Sequence, residues 1–261
     1  MKIGINFYRG GCFSDIFVAD TIALMKDNGF EGTFMGNEHE IFPQVVEAAQ
    51  KAGIAMETIH APFNRINDMW LPGEAGDEML RRLIRSFEDA ARYGIPTVVV
   101  HMSSGFHPPM IGDIGNDRFR RLMETADRLG VIPAIENQRL LANIALMFEY
   151  YDNARFCWDT GHENCFTPGR EYMPLFGDKL AALHIHDNYC EYNQDLHMLP
   201  YDGKVDFDKA ARYIAKSGFN GTVMLEVMAR AEMYSDYTAE EFYRRAGESA
   251  RKLAAAIESY R

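Results

Sequence analysis

The sequence predicts a single (β/α)8 TIM barrel of the α/β class that spans residues 1–261. Three observations predict this fold. Short β-rich runs recur at roughly 30-residue intervals, segments of helical period follow them, and no Pro-, Ser- or Gly-rich linker interrupts the alternation. A chain of 261 residues with 47% hydrophobic residues can bury a large core, so its length fits one such barrel.

Eight runs have the composition of buried parallel strands, and most of them end in a polar or ionisable residue. The runs are IGINFY (3–8), EGTFMG (31–36), AMETIHA (55–61), TVVVHMS (97–103), VIPAIEN (131–137), RFCWDTG (155–161), LAALHIHD (180–187) and GTVMLEV (221–227). An open doubly wound sheet is the rival architecture. It is disfavoured because no GxGxxG motif follows the first run.

The segments between the runs carry apolar residues at helical spacing, and several close on a glycine after a basic turn, which is typical of a helix C-terminus. Clear examples are residues 77–94, 116–130 and 205–219, and residues 239–260 form the last predicted outer helix. The charges and alternating alanines of that last helix could also serve a homo-oligomer.

Composition limits the location and the partners of the protein. The first residues show no signal peptide, no stretch is apolar enough for a membrane span, and the four cysteines form no CxxC pair. We therefore expect a reduced, cytoplasmic protein. The net charge of -11 repels a nucleic acid backbone, so a small neutral or metal-bound substrate is the better expectation.

Ionisable residues cluster where the predicted strands end. In a TIM barrel these carboxyl ends meet at one mouth, where the chemistry of the fold takes place. The residues are His60, His101, Glu136, Asp159, His162, His184 and Glu226, with Asp195 and His197 on the loop after the seventh strand. Any one of them alone is more often a hydrogen-bonded structural residue. Their recurrence at six consecutive strand ends favours a shared site.

Imidazole and carboxylate side chains together suit Mn, Zn, Co or Fe, whereas oxygen ligands alone would suggest Mg or Ca. The sequence therefore predicts a divalent metal ion (Mn, Zn or Co) at the mouth. Further histidines would contact substrate hydroxyls or hold additional metal ions. Arg9, Arg139 and Arg230 follow strand ends as well and could clamp a substrate phosphate or carboxylate, although surface salt bridges are the commoner role.

These motifs resemble those of the xylose-isomerase-like barrel superfamily, which includes sugar phosphate isomerases and epimerases and the apurinic-site endonucleases. The resemblance extends from the first strand to the eighth. It rests on HAPF (60–63), HMSS (101–104), IENQ (135–138), WDTGH (158–162), HIHDN (184–188), DLHMLPYDGKVDF (195–207) and MLEV (224–227).

Similarity to the ketose epimerase branch implies a carbohydrate isomerase or epimerase that acts on a sugar or sugar phosphate. It also implies one metal ion on Glu136, Asp159, His184 and Glu226. Glu136 and Glu226 would be the catalytic pair that moves a proton through an enediolate. That branch usually carries an Arg shortly after the seventh-strand motif, where this chain reads DNYCEYNQ (187–194), so substrate recognition does not follow from the resemblance.

Similarity to the endonuclease branch implies a different activity, a trinuclear-zinc phosphoesterase. Its nine ligands have counterparts of the right type and order in this chain. They would be His60, His101, Glu136, Asp159, His162, His184, Asp195, His197 and Glu226. The acidic net charge and the lack of basic clusters after the strands count against a DNA substrate. A non-enzymatic sugar-binding barrel that keeps the metal site is the third alternative.

Overall fold

The structure is a computed structural model that describes residues 1–8 and 10–261. Eight parallel strands form one sheet that wraps into a barrel, which confirms the predicted fold. The strands are β1 (Ile3–Asn6), β2 (Gly32–Gly36), β3 (Ala55–His60), β4 (Thr97–Val100), β5 (Ile132–Glu136), β6 (Arg155–Asp159), β7 (Leu180–His184) and β8 (Val223–Leu225). Their order in the sheet is β7-β6-β5-β4-β3-β2-β1-β8, so each strand lies beside its neighbour in sequence.

Helices connect the strands and cover the outside of the barrel. They are α1 (Val18–Asp27), α2 (Phe42–Ala52), α3 (Glu74–Tyr93), α4 (Asp113–Leu129), α5 (Leu141–Tyr150), α6 (Thr160–Phe166), α7 (Met173–Phe176), α8 (Phe207–Ser217), α9 (Ala231–Tyr234) and α10 (Ala239–Ser259). The predicted glycine caps are present, because Gly94, Gly130 and Gly218 end α3, α4 and α8 in the left-handed conformation. Among the described residues, no helix has the length and apolarity needed to cross a membrane.

The strands end earlier than the sequence runs suggested. The fourth run was expected to continue to residue 103, but β4 stops at Val100, and the seventh run was expected to reach residue 187, but β7 stops at His184. His101 and His186 follow these strand ends and lie beside the carboxylates of Glu136 and Asp159 at the mouth. A hydrophobic pattern reports burial, and burial continues here after the ladder of backbone hydrogen bonds has ended.

The barrel closes between β7 and β8 through a short seam. Ile185 and Leu225 form an isolated parallel bridge beyond the end of β7. The amide of Ile185 donates to the carbonyl of Met224 at 2.9 Å, and the amide of Glu226 donates to the carbonyl of Ile185 at 3.0 Å. The seam therefore lies directly beside His184 and Glu226.

A layer of small side chains fills the barrel interior below the mouth. Val99, Ala134, Cys157 and Ala182 form a buried cluster apart from the main core between strands and helices. Side chains two residues apart on a strand point the same way, so the residues at 101, 136, 159 and 184 form the next inward layer. This register places four candidate site residues side by side.

Asp187 fixes the long loop that connects β7 to α8. Its carboxylate accepts the backbone N–H groups of four residues at 2.8–3.0 Å, namely Asn188, Tyr201, Gly203 and Val205. Gly203 is required at this point, because a Cβ there would lie 2.4 Å from Asp187 Oδ1. One buried carboxylate thus organises the loop that carries Asp195 and His197.

We expect Asp187→Asn to destabilise the protein by about 2–4 kcal/mol, because an amide cannot accept all four bonds and places its own N–H₂ against backbone donors. Urea unfolding measures this loss. Asp206→Asn is the matched control, since Asp206 caps α8 through the Lys209 amide and Asn caps equally well, so a change of about 0.5 kcal/mol or less is expected. Equal stability of the two variants would contradict the role given to Asp187.

Candidate metal centre

All nine residues predicted for the site lie together at the carboxyl ends of the strands. They fall into four groups, three of which share residues, and within each group the ligand atoms lie within 4.8 Å of one another. The groups are Glu136, Asp159, His184 and Glu226; His60, His101 and Glu136; His60, His184 and Glu226; and His162, His186, Asp195 and His197. The first group is the metal set that the sequence predicted. His186 joins the last group in addition.

The central group joins the ends of β5, β6, β7 and β8. Nδ1 of His184 lies 3.3 Å from Glu136 Oε1 and 3.2 Å from Glu226 Oε2. Glu136, Asp159 and His184 are buried, and Glu226 is nearly so. Several of these buried polar atoms have no hydrogen-bond partner: Glu136 Oε1, Asp159 Oδ2, both ring nitrogens of His184, and Glu226 Oε2. Unpaired carboxylate and imidazole atoms that converge in this way fit a divalent cation.

The second group extends the centre toward β3 and β4. Nε2 of His101 lies 2.7 Å from Glu136 Oε2, and Nε2 of His60 lies 3.2 Å from the same oxygen. Nδ1 of His60 lies 2.9 Å from the carbonyl of Ala61, so Nδ1 carries the hydrogen and Nε2 turns to the carboxylate. A backbone carbonyl that fixes the tautomer in this way is typical of metal-ligating histidines.

The last group, which comprises His162, His186, Asp195 and His197, lies on the side of α6 and the β7–α8 loop. Nε2 of His197 is 3.2 Å from Asp195 Oδ2, and Nε2 of His162 is 3.4 Å from it. Nδ1 of His197 donates to the carbonyl of Glu226 at 2.9 Å, which again directs Nε2 inward. His197 is buried, and its backbone adopts the left-handed conformation with a φ of 49°. The β7–α8 loop thus brings Asp195 and His197 to the mouth, as the sequence predicted.

His186 follows the seventh strand in the HIHDN motif, and the sequence predicted no ligand or catalytic role for it. The structure buries it fully, leaves both ring nitrogens unpaired, and places Nε2 at 3.1 Å from Asp159 Oδ1. Gly161 makes room for it, because a Cβ at that position would lie 1.9 Å from the His186 ring. The signal was present in the sequence, since His184 and His186 are two residues apart and point the same way.

Opposite charges keep the carboxylates of the site ionised. Burial alone would raise the pKa of Glu136, but His101 and His184 lower it well below its usual value. Burial would lower the pKa of His197, but Asp195 raises it to about 9. Burial prevails at His101 and lowers its pKa despite Glu136. Ionised carboxylates and imidazoles that give up their proton are suitable ligands for a divalent cation.

Two of the three arginines proposed as anion clamps lie at this mouth with partners of their own. Arg139 packs 3.6 Å over the ring of Phe166, and Arg230 donates to the backbone carbonyl of Asp195 at 3.0 Å. Arg9 lies outside the described residues. Gln138, which the sequence did not single out, places its amide nitrogen 3.0 Å from Nδ1 of His162.

A cleft of about 310 Å³ opens beside the centre, on the side of β1, β2 and β3. Its walls include Phe7, Phe34, Phe63 and Met228. Of the residues in the four ligand groups, the cleft reaches His60 and Glu226. Ligand sites are commonly concave and largely apolar, with a few polar groups that set orientation, and this cleft has that character.

The fold and the cluster at its mouth define a TIM barrel with a candidate metal centre. The family model described as xylose isomerase-like TIM barrel matches residues 19–260, and the chain belongs to this family. The protein y4fM of Sinorhizobium fredii (strain NBRC 101917 / NGR234), itself uncharacterised, is 28% identical over 214 residues. That match covers 72% of this chain and 63% of y4fM, so it spans less than two thirds of the relative.

Solved structures share the fold over nearly the whole chain. The 3-keto-D-glucoside 4-epimerase YcjR from E. coli superimposes with a TM-score of 0.73 at 20% identity, covering 98% of this chain and 99% of that one. D-Psicose 3-epimerase with D-tagatose from Clostridium cellulolyticum H10 gives 0.77 at 13% identity, covering 98% and 99%. The IOLI protein with a bound zinc atom gives 0.74 at 17% identity, covering 99% of each chain.

We expect exhaustive chelation to lower the melting temperature by about 5–10 °C, because a cation bound near 100 times its Kd adds roughly 2.7 kcal/mol to the native state. Differential scanning calorimetry measures the shift, and adding Zn or Mn should restore it. Asp159→Asn serves as the control, since a weakened centre should make melting insensitive to the chelator. An unchanged melting temperature for the native sequence would show that the cluster holds no cation.

Proposed function

We propose that the protein is a divalent-metal-dependent sugar isomerase or epimerase that moves a proton through an enediolate. One observation carries the proposal: the carboxylates of Glu136 and Glu226 flank His184 at 3.3 and 3.2 Å, at the ends of two strands on different parts of the barrel. Proton transfer at carbon next to a carbonyl requires an acid and a base around the reacting carbon. Simple sugar binding does not require this pair.

Glu136, Asp159, His184 and Glu226 would hold the metal ion. A bound divalent cation would polarise the substrate carbonyl and make the neighbouring C–H more acidic. Glu226 lines the cleft, which supports its proposed role as the base that would take the proton from carbon. Glu136 would return a proton from the other side, and His101, 2.7 Å from its Oε2, would adjust the basicity of that carboxylate.

The proposed substrate class, a sugar, is suggested by solved structures that share the fold. Two of the structures with the same fold are epimerases named for 3-keto-D-glucoside and D-psicose, and one of them is described with D-tagatose. At identities of 20% and 13%, these similarities support the fold alone. We propose a sugar substrate because the same fold here carries a carboxylate pair and an adjoining cleft. We therefore propose a small-molecule sugar as the partner of this site in the cytoplasm.

A second candidate, phosphoester hydrolysis at a centre of several metal ions, is favoured by one observation. The ligand groups adjoin one another and include every one of the nine residues predicted for a trinuclear site. Metal ions about 4 Å apart would suit in-line displacement at phosphorus. The net charge of -11 counts against a nucleic acid substrate, because it repels the phosphate backbone.

The reaction can be tested by proton exchange. We expect metal-replete protein to incorporate deuterium from D₂O into at least one sugar of a panel of ketoses and ketose phosphates, as followed by NMR. Glu136→Gln and Glu226→Gln should each slow exchange by about 10²–10⁴-fold, since general acid–base groups contribute that much. Glu57→Gln is the matched control, because Glu57 is a half-buried carboxylate that accepts a hydrogen bond from Thr222 at the opposite end of the barrel.

Exchange that survives in both mouth variants would refute the carboxylate pair. Cleavage of an abasic-site oligonucleotide by the same preparation, without exchange into any sugar, would establish the hydrolase instead.

Metal content separates the two candidates independently of any substrate. We expect protein purified without added metal salts to contain close to one equivalent of Mn, Co or Zn by plasma mass spectrometry, because the isomerase needs the central group alone. His197→Asn removes a ligand of the last group, which contains His162, His186, Asp195 and His197, and should leave this content unchanged. Close to three equivalents of zinc, reduced by His197→Asn, would favour the hydrolase.

A further inference from the structure

The cleft beside the candidate metal centre carries a single fixed cation among its described lining residues. The acidic and basic residues on its walls are Glu38, His39, His60, Arg82 and Glu226. Arg82 projects from α3, whereas Glu38 lies on the connection between β2 and α2. Whether this part of the cleft can attract an anion therefore depends on the groups that Arg82 already contacts.

Arg82 is already bound by Glu38. Its Nε donates to Glu38 Oε1 at 2.7 Å, and Nη2 donates to Glu38 Oε2 at 2.7 Å, which makes a bidentate pair. Nη1 donates to the carbonyl of Asn64 at 3.1 Å and to the sulfur of Met79 at 3.3 Å. A guanidinium has five N–H donors, so these contacts leave one for a ligand.

The rest of the cleft is unsuited to a phosphate ester. Phe7, Phe34, Phe63 and Met228 supply apolar walls, which suit the C–H faces of a sugar ring. The reacting end of a substrate would lie toward Glu226, whose negative charge repels a second anion. A phosphate in this cleft would have to displace Glu38 from Arg82 or remain without a charged partner.

Building on the proposed sugar isomerase or epimerase, we propose that Glu38 is a specificity-determining residue. It occupies Arg82, and the site consequently takes uncharged sugars and rejects sugar phosphates. The residue acts through the arginine that it holds and takes no part in the proton transfer.

The test compares D-fructose, D-tagatose and D-psicose with their 6-phosphates, using the full-length, metal-loaded protein. Calorimetry gives the binding constants, and deuterium exchange gives kcat/KM where turnover occurs. We expect the native protein to prefer the uncharged ketoses by about 100-fold. Glu38→Gln should reduce this preference by about tenfold or more through tighter phosphate binding, since one charge-assisted hydrogen bond contributes that much.

Two further variants show whether the effect belongs to this ion pair. Glu78→Gln is the matched control, because Glu78 pairs with Arg81 and Arg85 on the exposed side of the same helix, and it should keep the native preference. Glu38→Gln combined with Arg82→Met should lose the gain in phosphate binding. These results together would assign the selectivity to Glu38 and Arg82.

Several outcomes would overturn the proposal. These are equal binding of ketoses and phosphates by the native protein, an unchanged preference in Glu38→Gln, or no measurable binding of any uncharged ketose. Phosphate binding by the native protein that Arg9→Gln abolishes would also overturn it, and would make Arg9 the anion contact. Absence of exchange into every sugar, with the calorimetric preference intact, would refute the proposed reaction and leave the selectivity standing.

Discussion

Mutual repulsion among carboxylates that share one poorly hydrated space is the constraint on which the rest of this structure depends. Glu136, Asp159, Asp195 and Glu226 lie at one mouth, two of them fully buried. Ionised groups in such a place cost several kcal/mol each unless opposite charge lies close by. The surrounding imidazoles lower this cost in part, and many of the buried ring nitrogens and carboxylate oxygens remain unpaired. A bound cation would contact these unpaired atoms and offset the repulsion among the carboxylates, so these surroundings favour cation binding.

The sequence was enough to predict the barrel and most of the residues at its mouth. Eight strands could be predicted because each is a short buried run followed by a helical segment, and both patterns are local. The nine polar residues could be found because strand ends of a parallel barrel meet at one face. The early ends of β4 and β7 could not be predicted, since burial continues past the backbone ladder there.

Contacts between distant parts of the chain were the features that the sequence concealed. The pairing of Glu38 with Arg82 joins residues 44 positions apart on two exposed-looking segments. The close contact between Gly161 and the ring of His186 forms only once β6 and β7 lie side by side. Asp187 looks like an ordinary loop acid, although its bonds to Tyr201, Gly203 and Val205 set the path of the loop. Local sequence patterns carry no information on such long-range contacts.

The short seam between β7 and β8 has a kinetic consequence. Because an isolated bridge at Ile185 and Leu225 completes the ring, we expect the barrel to open most readily at this joint. His184 and Glu226 stand on its two sides, 3.2 Å apart at their nearest ring nitrogen and oxygen. A cation bound by both side chains would hold the ends of β7 and β8 together at the seam. Cation binding would then slow the opening of the barrel at this seam. The lifetime of the closed barrel would therefore increase with the occupancy of the metal centre.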